Sequence, residues 1–524
     1  MPTTRDAAPP TMILLPGGLC VSGVAMWAVR LASSLVESGT PVSLVLFASQ
    51  PDQKPLNIPI DPRVGIVDLA HLAPIESCQG ELSAYLPAIN AELDRLGASG
   101  VVSLLPNQHG DCYGLAASIA TSRGDAVRVI GTAHSDNAYD LRLLEHYEPM
   151  LAQMVCVSDT LTSKAKSALP SRAWDIANIP YGVPIPQHTP QRPPLAERPI
   201  KLLYSGRFEH RQKRIMALPE LARLLEMIGI DYTLTIIGEG PAKQDLEHAC
   251  GSFANITILP AMTQQELKQQ LATHDAMVLP SRYEGLSISM LEALALGCIP
   301  IVTRSESGTE QAITHGHTGM IADVLPDADE LAAANGLAAC IKLLLKRDAD
   351  EIASNAALSA KERFSLESHI TAWSKLLATA ATRPARWWPA TRPSAFTGRA
   401  GQSGSVPAAG ASNMRMKLSE LSGRPIIIHG SGQHTLTLAP LLADADVRAV
   451  ADDDPARFGE KLLGWRIIDP ESAASTGATD VVISSAMHEE AIWNRRDVYL
   501  EQGLRVHRLY AAAIPRAADA ATSP

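Results

Sequence analysis

Residues 276–302 read Ala-Met-Val-Leu-Pro-Ser-Arg-Tyr-Glu-Gly-Leu-Ser-Ile-Ser-Met-Leu-Glu-Ala-Leu-Ala-Leu-Gly-Cys-Ile-Pro-Ile-Val, and two periodicities meet inside that stretch. Met277, Val278 and Leu279 form an apolar run too short for a helix and stopped by Pro280, the pattern of a parallel strand covered on both faces. From Leu286 the spacing becomes helical, through Met290, Leu291, Leu294 and Ala295. Gly297 then stops it ahead of a second apolar run, Ile299-Pro-Ile-Val. Strand, polar loop, helix and strand in that order predict an open, doubly wound α/β sheet.

A helix that opens directly after a parallel strand points free backbone N–H groups and the positive end of its dipole out of the sheet edge. That is a seat for phosphate. Glu284 stands in the loop just before the seat, and Glu292 lies about two turns beyond it. The spacing suits a phosphate-linked ligand with hydroxyl-bearing groups on either side. Two glutamates alone are more often solvated surface carboxylates, so the weight falls on the rest of the chain.

The chain has 524 residues, enough for about two to four domains. A composition of 46% hydrophobic and 19% charged residues is that of a globular protein. The net charge of −10 argues against general nucleic-acid binding, which needs a basic face. Seven cysteines without a Cys-x-x-Cys pair read as reduced core thiols of a cytoplasmic protein, and they offer no metal-ligand spacing. Residues 1–11 lack the pattern of a secretory signal, and no apolar run approaches the ~18 residues that span a bilayer. Peripheral association with the inner face of a membrane is compatible with this.

Nearer the start, Met12-Ile-Leu-Leu reads as a first strand, followed by Pro16-Gly17-Gly18 and Ser22-Gly23. Apolar residues then recur at helical spacing from Val24 to Leu35, Gly39 closes the helix, and Val42–Phe47 is the next strand. These glycines fit neither the dinucleotide nor the Walker A spacing; they suit a backbone loop approaching a ligand or a plain tight turn. Further strands are expected at Val101–Leu105, Val127–Ile130 and Met154–Val157. His134 and Asp136 follow one of them, on the edge where open α/β sheets bind ligands. His134 suits acid–base work or a sugar hydroxyl, although a lone histidine of this kind is more often structural.

After Pro-rich text up to Pro199 the rhythm restarts with Ile200–Ser205, Gly206 and Arg207, and with Tyr232–Ile237 ending in Gly238-Glu-Gly-Pro241. Arg207 and Lys213 follow a strand end closely enough for both cations to reach one crevice. Arginine brings a planar fork for phosphate oxygens and lysine a compact charge. With the helix N-terminus they make a diphosphate site with three sources of positive potential.

Taken in order, Gly206-Arg207 with Lys213, Ile237-Gly-Glu-Gly-Pro, Ser281-Arg-Tyr-Glu284-Gly285 with Glu292-Ala-Leu-Ala, and Gly316-His-Thr-Gly319 closely resemble the family-4 retaining glycosyltransferases of the GT-B fold. The resemblance covers roughly residues 12–380 and is stronger in the second half. It implies two Rossmann-like domains facing across a cleft: an acceptor-side domain over residues 1–195 and a nucleotide-sugar domain over 196–380, whose last helix crosses back.

It also implies roles. Glu284 would engage the donor sugar and Glu292 the ribose. Arg207 and Lys213 would hold the diphosphate, with Gly206, Gly285 and the amides of Leu286 and Ser287 completing the cradle. Gly17 and Gly18 would form the first-domain loop near the donor phosphates, and His134 would lie near the donor sugar. Such enzymes move a sugar from a nucleoside-diphosphate sugar to a saccharide or lipid-linked acceptor, with retention and without a metal. Three departures stand out: Pro260 where the base-recognition turn commonly has Gly, Arg214 where Gly usually follows the lysine, and a loosely matching Ser305–Glu310 turn.

Residues 381–420, rich in Pro, Ala, Gly, Ser and Arg, read as a linker, with Trp387-Trp388 expected to dock on the main body. Residues 421–515 read as a small Rossmann-like unit resembling those of polysaccharide-biosynthesis proteins. Its strand Pro425–His429 leads into Gly430-Ser-Gly432, and Asp452 follows at the distance of a ribose carboxylate. Thr435 replaces the third glycine. Nucleotide binding and an assembly role fit this unit equally. An assembly protein with a decayed transferase body is the main rival for the whole chain; an oxidoreductase centred on the tail lacks a Tyr-x-x-x-Lys set.

Overall fold

The apolar runs become strands because both of their faces are covered: Met12, Ile13 and Leu14 are fully buried, as are Met277 and Val278. The computed structural model describes residues 8–20, 22–49, 58–75, 82–98, 100–107, 109–195, 198–305, 307–389, 408–442, 445–462, 464–485 and 489–509. Residues 1–397 form one compact unit and residues 398–524 a second.

The first unit holds two parallel sheets. One is built from β1 (Thr11–Leu15), β2 (Val42–Phe47), β3 (Gly65–Leu69), β4 (Val102–Leu105), β5 (Val127–Ala133), β6 (Leu151–Cys156) and β7 (Ile176–Asn178), in the spatial order β3-β2-β1-β4-β5-β6-β7. The other has β8 (Ile200–Ser205), β9 (Tyr232–Ile237), β10 (Ile256–Leu259), β11 (Ala276–Leu279), β12 (Ile299–Thr303) and β13 (Met320–Ala322), ordered β10-β9-β8-β11-β12-β13. Winding reverses at β1 in the first sheet and at β8 in the second. Ligands of open α/β sheets sit at such reversals, outside the C-terminal strand ends. The reversal of the second sheet therefore puts the loops after β8 and β11 side by side. These are the loops that carry Arg207, Lys213 and Glu284.

Three strands of this unit escaped the sequence reading. β3 is a half-exposed edge strand, and β7 and β13 have only three residues each. The last helix expected of the second domain is two helices, Ala349–Arg363 and Leu366–Ala381. The break occurs because Val183 claims its backbone groups: Val183 N–H donates to Phe364 O at 2.9 Å, and Leu366 N–H donates to Val183 O at 3.0 Å. The second of these helices then returns to the first sheet, where Trp373 meets Trp27 of the helix Gly23–Glu37 with ring centroids 5.5 Å apart.

Beyond it the chain stays attached. Trp388 is buried, 5.1 Å from the Tyr147 ring and 5.4 Å from His146. Arg383 lies 4.5 Å over Trp174 and pairs with Asp175, and Arg386 lies 3.7 Å from Glu148. Of the tryptophan pair, Trp388 is thus docked on the first unit, whereas Trp387 stays 49% exposed.

In the second unit the stretch expected as linker is helical over Ala408–Glu420, while residues 390–407 lie outside the described residues. Its sheet contains β14 (Ile426–His429), β15 (Val447–Ala451), β16 (Lys461–Leu462), β17 (Trp465–Ile468), β18 (Asp480–Ile483) and β19 (Arg505–His507) in the order β16-β17-β15-β14-β18-β19, with only β16 antiparallel. Six described cysteines are buried thiols. Among the described residues no helix is long and apolar enough to cross a membrane.

Removing the Trp388 ring leaves a cavity over Tyr147. Trp388→Ala is expected to cost about 3 kcal/mol, read as a lower denaturant midpoint for the first unit.

Candidate active site

The loop after β8 is shaped by one carboxylate. Glu209 accepts from the amides of Arg211 (2.7 Å), Gln212 (2.6 Å) and Lys213 (3.2 Å). It is laced to the loop after β11: Arg282 N–H donates to Gln212 O at 2.8 Å, and the Gln212 side chain donates to Tyr283 O at 3.2 Å. The lacing brings Lys213 Nζ to 2.6 Å from Glu284 Oε1. Arg207, at the end of β8, is exposed, and its guanidinium bonds to no described residue.

Arg214 explains the usual glycine at its position. Its φ is +49°, the only positive value at a non-glycine among the described residues. Its side chain is fully buried and donates to Pro326 O at 2.9 Å, and burial pushes the guanidinium down to about 10. The Gly-Glu-Gly turn has an equally local reason: a Cβ on Gly238 would lie 1.9 Å from Gly206 O, and one on Gly240 2.2 Å from Phe208 O.

Ser287 caps the helix Ile288–Ala295 by accepting from Met290 N–H at 3.4 Å. The amides of Leu286, Ser287, Ile288 and Ser289 bond to no described acceptor, so this N-terminus is open to an anion. Gly285 is pressed against the first half: a Cβ there would lie 2.0 Å from the His134 carbonyl oxygen. Ser158 and Ser307 bond across the same seam, and Asp159 N–H donates to Gln311 at 2.9 Å.

His134 itself is buried, with both ring nitrogens engaged. Asn107 donates from Nδ2 to Leu14 O and Leu105 O at 3.0 and 3.1 Å, so its Oδ1 is left to accept. His134 Nε2 donates to that oxygen at 2.9 Å, and Nδ1 accepts from Tyr181 O–H at 2.8 Å. Burial pushes the imidazole down to about 3, so it is neutral. What His134 presents to the second half is its backbone carbonyl. Asp136 pairs with Lys164 at 2.9 Å.

Gly17 and Gly18 form a tight turn against the end of β2. Ser49 Oγ donates to Gly17 O at 2.7 Å, and Gly18 has φ +59° with a Cβ position 2.6 Å from Phe47 O. The glycine that faces the other half is Gly23, whose Cβ position lies 3.7 Å from Ile288 Cδ1. Glu292 is paired with Arg30 of the first-half helix, which also donates to Gln264 Oε1 at 2.8 Å.

Thus Lys213, Glu284, Gly285, Leu286 and Ser287 are brought together, with Gly206 and Arg207 on the same sheet edge. The ring of His134 and the Gly17-Gly18 turn are tied into the first half. Arg30, Asn107, Tyr181 and Gly23 were missed. Arg30 left a signal: it is the only cation in a fifteen-residue helix with ten buried residues.

In the second unit Asp452 is engaged by its own loop. It accepts from the amide and hydroxyl of Ser431 through Oδ2, and from Asp454 N–H at 3.0 Å through Oδ1. Gly430 approaches Ser484 O, 2.9 Å from its Cβ position, while Gly432 faces open space.

Residues 187–355 match the family described as Glycosyl transferases group 1. The chain is similar to these enzymes. It is 34% identical over 130 residues to alpha-D-kanosaminyltransferase of Streptomyces kanamyceticus, covering 24% of this chain and 33% of that protein, roughly a third of the relative's length. It is 26% identical over 347 residues to a D-inositol 3-phosphate glycosyltransferase of Arthrobacter sp. (strain FB24), covering 60% of this chain and 81% of the relative. Sucrose-phosphate synthase from Thermosynechococcus elongatus superposes with a TM-score of 0.56 at 17% identity, covering 71% of this chain and 98% of the other. The two sheets of the first unit thus have the GT-B fold, and a third sheet is present in the second unit. Among the described residues no group of three or more His, Cys, Asp or Glu is placed to hold a metal ion.

A histidine held neutral binds fewer protons folded than unfolded. Stability linked to His134 is therefore complete above its ordinary value of 6.5 and is lost as pH falls toward about 3. A His134→Gln variant should lack this share of acid destabilisation, a slope smaller by about 1.4 kcal/mol per pH unit between those limits, measured by denaturant unfolding across pH.

Proposed function

We infer that the chain is a retaining glycosyltransferase that moves a sugar from a nucleoside-diphosphate sugar to a hydroxyl of a saccharide or lipid-linked acceptor, in the making of a surface glycan or glycoconjugate. The observation that carries the reading is the open positive edge at the second sheet's reversal: a free Arg207, Lys213 beside Glu284, and unpaired amides from Leu286 to Ser289. In this assignment residues 196–380 bind the donor and residues 1–195 face the acceptor.

The diphosphate lies on the helix N-terminus with Arg207 and Lys213. Charge grows on its leaving oxygen as the bond to the sugar's anomeric carbon breaks, and these groups stabilise it there. The acceptor oxygen bonds to that carbon on the same face and gives its proton to the departing phosphate. Glu284 holds the sugar instead of displacing the leaving group, so the two-carboxylate glycosidase scheme does not apply. No metal is assigned, since the cations and the helix end supply the charge. The protein works in the cytoplasm, on acceptors in solution or at the membrane's inner face.

The test is release of free nucleoside diphosphate from a panel of UDP-, GDP- and ADP-sugars with saccharide and lipid acceptors. Turnover of one donor is expected, and Arg207→Ala should lower kcat by about a hundredfold or more with an unchanged melting curve. No turnover of any donor would favour a binding or assembly role. Full activity in Arg207→Ala would remove the arginine from the site.

A further inference from the structure

Glu292, which the proposed function gives to the ribose, is already occupied. The guanidinium of Arg30, carried by the first-half helix Gly23–Glu37, pairs with it and reaches Gln264 at 2.8 Å. The two charged side chains are 9% and 11% exposed, so the pair is largely out of water. Gln264 opens the helix that follows Leu259–Met262, the turn expected to meet the base. One arginine of the first half thus holds both the carboxylate assigned to the ribose and the first residue of the helix that follows the base-recognition turn.

We propose that Arg30 is an interdomain gate on the donor site. Without donor, its ion pair with Glu292 fastens the halves over the nucleoside position. The nucleotide enters when its ribose hydroxyls take the Glu292 carboxylate and the guanidinium withdraws. Arg30 Nη1 is buried without a partner, so the fastened state leaves one N–H donor unsatisfied and is releasable. The apparent affinity for nucleotide is then the intrinsic affinity reduced by the fraction of molecules that are open. The inference rests on the assignment of Glu292 to the ribose.

The test is titration of the full chain with UDP, GDP and ADP by calorimetry, for the native protein, Arg30→Met, Arg30→Lys and Glu292→Gln. Arg30→Met keeps the buried stem and drops the charge. It should bind the preferred nucleotide about tenfold more tightly and, without nucleotide, show a larger radius of gyration in solution scattering. Arg30→Lys should fall between it and the native protein, and it decides the matter by the same sign if the methionine variant fails to fold. Glu292→Gln should lose binding. Unchanged or weaker binding in the arginine variants, with binding lost in Glu292→Gln, would overturn the gate and leave the ribose assignment standing. Native-like binding in Glu292→Gln would overturn that assignment and the gate with it.

Discussion

Gly285 lies against the carbonyl of His134 with no room for a side chain, so the two halves meet there main chain to main chain. A Cβ would sit 2.0 Å from the oxygen on one side of Gly285, and the Cβ position of Gly308 lies 2.2 Å from the Gly285 carbonyl on the other. The loop that carries Glu284 is therefore clasped between a strand end of the first sheet and a turn of its own half. A side chain here would force the backbones apart, because neither neighbour is a flexible tip. Ser158 with Ser307, and Gln311 with the Asp159 amide, add polar contacts to the same seam. Main chain meets main chain at this point, and side-chain contacts flank it on both sides.

Charge is arranged in pairs around that seam. Glu284 takes Lys213 from a loop of its own half, whereas Glu292 takes Arg30 from the other. The two pairs differ in what they link. The first orders the Gly206–Lys213 loop, which Glu209 and Gln212 already hold in place. The second spans two bodies, so its formation is coupled to their separation. A largely buried pair of this kind contributes little net stability, since desolvation offsets much of the attraction, but it fixes one arrangement against others.

How much of this was legible follows from what each feature depends on. β1 and β11 could be read because buried parallel strands are short unbroken apolar runs between turn residues, and β8, β9 and β10 because apolar residues dominate between turn residues. β3 could not, since Gly65 and Asp68 leave only Ile66 and Val67 adjacent in it, and β7 and β13 are too short to show a period. Glu284, Gly285 and Lys213 were legible because one chain segment carries a strand end and its loop together. The partners of Glu292 and His134 were not, since Arg30 is 262 residues from Glu292 and Asn107 is 27 from His134. A lone histidine after a strand has the same sequence whether its ring faces ligand or core. Gly17-Gly18 shows the same ambiguity, for a turn that meets phosphate and one that meets the end of β2 both require positive φ.

The ring of His134 bears on where the acceptor's proton goes in the proposed reaction. Its Nε2 proton is given to Asn107, whose other atoms are fixed by two carbonyls, and its Nδ1 lone pair is taken by Tyr181. Tyr181 is fully enclosed, and burial with Glu284 nearby pushes its hydroxyl well above its ordinary range, so it does not ionise to act as a base. Glu284 holds Lys213, and the proposed function gives it to the sugar. With these three groups committed, the proposed reaction gives the proton to the phosphate oxygen released by bond breaking. In that proposal Arg207, Lys213 and the open amides would do two things at once: lower the barrier to departure, and temper the basicity of the oxygen that takes the proton. A site that supplied more positive charge would speed the first step and starve the second.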